Sequence, residues 1–96
     1  MTDLMKIFVV HVYDAADHLH DYYAHQDVAE AKHQAAIDVV TGRFDGLSKE
    51  DLDREVQRVI ADAYEEPGIG RWHVRCDAWR AHIDDLLVRT SARKTA

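Results

Sequence analysis

The sequence predicts an α+β domain, with a three-stranded, mainly antiparallel sheet, helices packed mostly on one face, and the element order β-β-α-α-β-α. Three observations favour this fold class: a β-branched and aromatic opening run, two capped helical segments, and a later segment of alternating apolar and charged residues. The length of 96 residues and the 47% hydrophobic content suit one core. We therefore expect a single α+β domain at residues 1–90 and a disordered basic tail at residues 91–96.

The first two strands form a predicted hairpin. Residues 6–13 give the central strand, residues 18–24 give the second strand, and residues 14–17 give the turn. This turn pairs His11 with His20, and side-chain alternation then separates two faces. The face expected to form the core holds Phe8, Val10, Val12, Leu19 and Tyr23, whereas the opposite face holds Val9, His11, Tyr13, His18, His20 and Tyr22.

Two helices follow the hairpin. Asp27 is the expected cap of the first helix, with Glu30 completing an acidic capping box and Gly42 ending the helix. Ser48 caps the second helix at residues 49–65, and the Pro67–Gly68 pair ends it. The first helix has a narrow apolar side that lets it lie close to a sheet, formed by Val28, Ala31, Ala35 and Val39.

Residues 71–78 predict the third strand. Trp72, Val74 and Cys76 alternate with charged residues, so one face is apolar and the other is solvated. A last helix is expected from Asp77. Its apolar residues at helical spacing are Trp79, Ile83, Leu86 and Leu87.

Charge is divided unevenly along the chain. The formal net charge is −6, yet residues 1–70 carry −9 and residues 71–96 carry +3. This division permits a head-to-tail contact or a local anion site, while the overall negative charge disfavours a nucleic-acid partner. Cys76 is the only cysteine, and no apolar stretch reaches the roughly 20 residues that span a bilayer. We expect a cytoplasmic protein with no membrane partner.

Seven histidines make a metal site or a small-ligand site on a face of histidines and tyrosines one hypothesis. The predicted register places His11, His18 and His20 on one surface, where neutral imidazoles could hold zinc, nickel or copper. No CxxC or HExxH motif and no carboxylate at a defined spacing accompanies them. The alternative is a half-wet face of histidines and tyrosines, or a dimer contact.

The basic residues after residue 70 suggest a second kind of site. Arg71 and Arg75, with Arg80 nearby, could contact an anion or a nucleic acid. Trp72 is expected to face the core while these arginines face water, so bases could not stack on that indole. A solvated strand face is the alternative.

The outer face of the hairpin also predicts an interface. A three-stranded sheet covered on one side leaves Val9, Tyr13 and Tyr22 uncovered. Packing them against a second copy would bury them, so we expect a homodimer. The acidic second helix could also engage a protein partner. Its arginines at helical spacing are typical of a solvated face, and imitation of DNA is a further alternative.

No catalytic motif stands out in the sequence. It contains no P-loop, no GxGxxG and no serine–histidine–aspartate pattern. Cys76 and His73 are three residues apart in a strand and point to opposite faces, which excludes a local nucleophile–base pair. We therefore expect a protein that is not an enzyme and carries no cofactor.

Two parts of the chain follow a plan shared with known proteins. Residues 5–40 hold the strand Met5–Val10, an acidic turn and the segment Gln26–Ala31, and residues 71–79 hold a late tryptophan-containing strand. This arrangement resembles the small hairpin–helix–strand accessory proteins of phages and prophages. The resemblance implies a protein that binds a host or phage component without a cofactor. We expect a small, non-enzymatic, cytosolic interaction protein that binds a protein partner.

Overall fold

Two helices lie on one face of a five-stranded antiparallel sheet in the structure, a computed structural model that describes residues 3–90. The elements in chain order are β1 (Asp3–Tyr13), β2 (Leu19–His25), α1 (Val28–Arg43), α2 (Lys49–Asp62), β3 (Tyr64–Glu66), β4 (Arg71–Cys76) and β5 (Trp79–Thr90). The α+β class is confirmed. The predicted disordered tail at residues 91–96 lies outside the described residues.

The sheet contains two strands more than the predicted three. Its strand order is β2-β1-β5-β4-β3, so β1 is an interior strand but β5 is the central one. β5 pairs with β1 from Asp3 opposite Thr90 to Tyr13 opposite Arg80, and it pairs with β4 on its other side. The predicted order β-β-α-α-β-α is therefore corrected to β-β-α-α-β-β-β.

The predicted helix after Asp77 is wrong. Asp77 has a left-handed φ of 54° and forms a tight turn with Ala78, after which Trp79 lies opposite Cys76. The chain then continues as β5, hydrogen-bonded to a strand on each side. The long-range ladder with β1, and the hairpin ladder with β4 as far as Ile83, satisfy backbone groups of β5 and outweigh a helical spacing of only a few apolar residues.

The face assignment of the first hairpin is confirmed for β1 and for Tyr22 and Tyr23, whereas its register is wrong. Leu19, which was expected in the core, lies opposite Tyr13 and is 51% exposed, and His20 contacts Trp79, which packs against α1. Val10 and Val12 are fully buried in the core beneath the helices. His11 lies opposite Tyr22 instead of His20, which is a slip of two residues from the predicted pairing. Because a slip of two residues preserves side-chain alternation, Tyr22 stays on the side of His11.

Asp14 accounts for the altered register. Its Oδ1 accepts hydrogen bonds from the backbone N–H groups of Ala16 and His18, both at 2.9 Å. These bonds, that from His18 first, hold the pKa of Asp14 below its ordinary value. The turn therefore extends through His18, one residue beyond the predicted turn, and a second irregularity falls between Val12 and Tyr13.

Both predicted helix caps are present. Asp27 accepts from the N–H of Ala29, and Ser48 accepts from the N–H of Asp51. Gly42 does not end α1, which continues to Arg43. α2 ends at Asp62, so the predicted end at Pro67–Gly68 is too late. No helix in the described part of the chain is long and apolar enough to cross a membrane.

Gly42 has a packing role inside α1. A Cβ at this position would overlap the indole ring of Trp79, which lies against the helix. Tyr23 on β2 fixes the other side of the same helix, because its hydroxyl donates to Asp38 Oδ2 at 2.6 Å. The core between these contacts is aliphatic, and its largest fully buried members are Ile83, Val10, Val12, Val39, Val40, Val59 and Val74.

β1 and β5 continue past their neighbours as a two-stranded ribbon. β2 pairs with β1 only from Phe8 onward, and β4 pairs with β5 only as far as Ile83. The ribbon, defined as residues 3–7 and 86–90, is therefore paired within itself alone. The molecule is elongated and measures 51, 30 and 24 Å along its three principal axes. Exposed leucines on the ribbon are Leu4, Leu86 and Leu87.

Candidate interaction surface

The sheet face turned away from the helices, hereafter the open face, carries one ring from each strand in a single row. His11 of β1 lies opposite both Tyr22 of β2 and His82 of β5. His82 also lies opposite His73 of β4, and His73 lies opposite Tyr64 of β3. This ring row crosses the full width of the sheet, about 19 Å at the usual strand spacing.

The ring row is most tightly packed at β3 and β4. Tyr64 stacks on His73 with ring centroids 4.9 Å apart, and His73 meets His82 edge-on at 5.0 Å. Glu66 Oε1 lies 2.8 Å from His73 Nε2 and so fixes the imidazole in place. The tyrosine at each end of the row is more than half exposed, with Tyr64 at 52% and Tyr22 at 66%.

His82, in the middle of the ring row, has a lowered pKa. Burial is the largest cause, because it disfavours the charged imidazolium. The neighbouring His73, Arg71 and Arg80 act in the same direction, and only Asp84 opposes them. Both its burial and its charged neighbours therefore disfavour the protonated form of His82.

A pair of arginines lies beside the histidines of the ring row. Arg75 on β4 is directly opposite Arg80 on β5. This pair lies two residues along each strand from the opposed pair His73 and His82. Residues two apart on a strand share a face, so the four side chains form a two-by-two group. We refer to Arg75, Arg80, His73 and His82 as the cationic block.

The other end of the open face is apolar. Ile7 lies opposite Leu86 and Met5 lies opposite Val88 along the ribbon, and Val9 continues the same face toward the ring row. Leu86 is 50% exposed. These five residues form a continuous surface, hereafter the apolar strip.

The structure does not bring His11, His18 and His20 together. His11 stacks against Tyr22, His18 lies exposed at the end of the turn, and His20 meets the edge of Trp79 with centroids 5.1 Å apart. The predicted grouping fails because it required His11 to lie opposite His20. In the part of the chain that the structure describes, no group of three or more histidine, cysteine or acidic side chains is placed to hold a metal ion.

The three arginines predicted to contact an anion all lie on the open face. Arg71 Nε donates to Asp84 Oδ1 at 2.7 Å, and this bond raises the pKa of Arg71. Arg80 is hydrogen-bonded to Asp17 in the β1–β2 turn. Arg75 forms no ion pair with any described residue. Of the three guanidinium groups, that of Arg75 is therefore the one available to a ligand.

Trp72 lies on the helix side of the sheet, as alternation predicts. Lys32 Nζ of α1 lies 3.8 Å from the centre of its ring. Bases therefore cannot stack on this indole beside the arginines, and Tyr64 is the exposed ring next to Arg75. The two residues share a surface depression of about 440 Å³, whose other lining residues are Arg58, Asp62, His73 and Asp77.

The residues predicted to form an interface also share the open face but lie in different parts of it. Val9 belongs to the apolar strip, and Tyr22 ends the ring row. Tyr13 lies 5.4 Å from the ring of His82, between centroids, and under the guanidinium group of Arg80.

Cys76 behaves as a core residue. Its side chain is 3% exposed, and burial is the main cause that raises the pKa of its thiol. His73 lies on the opposite face, in contact with Tyr64. The structure thus agrees with the exclusion of a local nucleophile–base pair.

Sequence reasoning missed Tyr64 and His82 as parts of the surface. His82 lies on β5, which the helical spacing of its apolar residues concealed. Tyr64 lies on β3, which is too short to be recognised from its pattern. One signal was present, because Arg80, His82 and Asp84 alternate with the apolar Ala81 and Ile83.

Comparisons of the chain with models of protein families, with curated proteins and with solved structures gave no match. The function is therefore inferred from the chemistry of the open face.

Proposed function

We propose that this chain is a small, non-enzymatic interaction protein that binds protein partners through the open face, and that a second copy of the chain is one such partner. The observation that supports this proposal is the apolar strip on the ribbon. Leu86 of this strip is half exposed, and the two strands of the ribbon pair only with each other. A two-stranded ribbon without a covering layer is only marginally stable in water. A partner that covers the strip would bury its side chains and stabilise the ribbon.

The open face is large enough for a stable contact. Five strands at the usual spacing give a width of about 19 Å, and an eleven-residue strand is about 36 Å long. A face of these dimensions has several hundred Å² available, which is comparable to the roughly 800 Å² per partner of a standard interface. The apolar strip with part of the ring row would serve as its core.

The charge distribution favours a two-fold arrangement centred on the apolar strip. A two-fold axis places each patch against its own copy. Arg80 and Leu86 are separated by about 20 Å along β5, so an axis through the strip keeps the two cationic blocks apart. An axis through the cationic block would instead oppose like charges. The resemblance to accessory proteins also implies a host or phage component as a partner. Such a component would bind the same strip when no second copy of the chain covers it.

The experiment compares two neighbouring leucines of nearly equal exposure. Leu86 lies on the open face at 50% exposure, and Leu87 lies on the other face of the ribbon at 59%. The molar mass of wild type, Leu86→Lys and Leu87→Lys is measured by sedimentation over a range of concentrations. We expect a dimer for wild type and Leu87→Lys, and a weakened dimer for Leu86→Lys.

The size of the effect follows from burial of the leucine. Full burial contributes about 1.5–3 kcal/mol, so half-exposed Leu86 gains roughly 1 kcal/mol in each copy. Loss of both contributions weakens the dimer by about thirtyfold. A monomeric wild type at high concentration would contradict self-association, and dissociation by Leu87→Lys alone would place the interface on the other face of the ribbon.

A further inference from the structure

The cationic block contains an opposed pair of arginines, which are charged at neutral pH, beside an opposed pair of histidines. Arg75 lies directly opposite Arg80, and His73 lies directly opposite His82 in the next row. Like charges in directly opposed positions destabilise a sheet. The arrangement therefore opposes folding in the free protein, unless a negatively charged group lies over it.

The chain itself neutralises this block only in part. Asp17 bonds to Arg80, and Glu66 bonds to His73. Asp84, the carboxylate of β5 on this face, is engaged by Arg71. Arg75 has no carboxylate partner among the described residues. A positive charge with no counterion thus stands at one corner of the block.

The surroundings of Arg75 form a recess with an aromatic side. Arg75 and Tyr64 line the depression of about 440 Å³, together with Arg58 of α2. Of the two carboxylates in the lining, Asp77 bonds to Arg43, and Asp62 is the last residue of α2. Arg58 pairs with Glu55, so the arginine of the recess that has no carboxylate partner among the described residues is Arg75, beside His73.

The unpaired guanidinium group of Arg75 favours an anion over a cation here, because its positive charge would oppose a divalent metal ion. Burial is the main cause of the lowered pKa of His82, and the charges of Arg71 and Arg80 act in the same direction. The net charge of −6 for the whole chain opposes a long polyanion more strongly than it opposes one phosphate group. A small ligand with a single phosphate fits both conditions.

We infer that the cationic block binds the phosphate group of a small phosphate monoester, with Arg75 as its main contact, and that Tyr64 packs against an aromatic group of the ligand. Arginine presents a planar fork that matches phosphate oxygens with two hydrogen bonds. The tyrosine is half exposed, and its ring is held in place by the stack on His73. This inference is independent of self-association, because the block and the apolar strip lie at opposite ends of the open face.

The test is a calorimetric titration with four probes: inorganic phosphate, glycerol phosphate, phenyl phosphate and a single-stranded oligothymidylate. We expect saturable binding of one phosphate per chain, with phenyl phosphate binding about three- to tenfold more tightly than glycerol phosphate. Tyr64→Ala should remove this preference and keep the binding of inorganic phosphate. Oligothymidylate that binds more tightly than phenyl phosphate would overturn the small-ligand inference in favour of nucleic acid.

Two charge-matched variants show whether Arg75 is the contact. Arg75→Gln should weaken phosphate binding by at least about tenfold, because a charge-assisted hydrogen bond is lost. Arg54→Gln removes the same charge from α2, where Arg54 pairs with Asp51, and should change binding by less than about twofold. Leu86→Lys, which tests the dimer, should leave phosphate binding unchanged.

Thermal unfolding gives a second measurement, which is made both without phosphate and with it. In phosphate-free buffer Arg75→Gln should raise the melting temperature, because the opposed like charges are removed. Added phosphate should raise the melting temperature of wild type and not that of Arg75→Gln. No saturable binding by wild type, or equal binding by wild type and Arg75→Gln, would overturn the inference.

Discussion

The two faces of the sheet come from the same strands and yet have opposite chemistry. Beneath the helices, Val10, Val12 and Ile83 are fully buried and purely aliphatic. On the open face the intervening positions carry His11, His82 and other rings and charges. The covered face is built for packing. The open face holds an opposed pair of arginines and the half-exposed Leu86, which contribute little to the stability of the free chain.

The largest expected effect is on the covered face. Ile83→Ala removes a fully buried side chain at the centre of the sheet and should lower the free energy of unfolding by about 2–5 kcal/mol. Leu86→Ala, three residues along β5 on the open face, should change it by less than about 1 kcal/mol in dilute, monomeric protein. Urea unfolding of both variants measures this contrast. Equal losses would show that the open face belongs to the core.

A smaller effect is expected where α1 meets the covered face. Gly42→Ala would normally stabilise a helix by about 1 kcal/mol, but here the new methyl group overlaps Trp79. We expect a net destabilisation of about 1–3 kcal/mol from overpacking. Thr41→Ala, at an exposed neighbouring position, is the control. The penalty at Gly42 should shrink when Trp79 is replaced by leucine, and a stabilised Gly42→Ala would contradict the packing.

The smallest effect concerns the pH dependence of stability from the open face. The pKa of His82 is lower in the folded chain than its ordinary value of 6.5, so the unfolded chain binds its proton first as pH falls. Stability is then fully present above pH 6.5 and decreases as pH falls below it. The melting temperature should drop between pH 7.5 and 5, with a smaller drop in His82→Gln. His33→Gln, at an exposed site on α1, should keep the wild-type slope.

Much of the chain followed from local pattern. Alternation in β1 correctly separated Val10 and Val12 from His11, because one face of that strand is buried and the period of two is unambiguous. Asp27 and Ser48 were identifiable as caps, since each combines a short polar acceptor with a free backbone N–H nearby. Strand alternation and helix caps are set by residues that are close together in the sequence.

The features that the sequence did not reveal depend on distant partners. Trp79 and Ile83 fit a helix and a strand equally well, and pairing with β1 more than sixty residues earlier decides for the strand. The ring row could not be assembled without this strand, because His82 joins His11 to His73. The grouping of His11 with His20 failed for a smaller reason, namely a turn that Asp14 lengthens.

The pairing of Asp3 with Thr90 has a consequence for biosynthesis. Among the described elements, β1 can pair only with β2 until β5 is made, and β5, which fills the space between β1 and β4, is the last of them to be synthesised. The edge of β1 that pairs with β5 stays unpaired until then, since pairing across so long a loop is slow compared with forming a helix or a hairpin. A nascent chain stalled before Trp79 would therefore display an unpaired strand edge, which is a template for pairing with another chain.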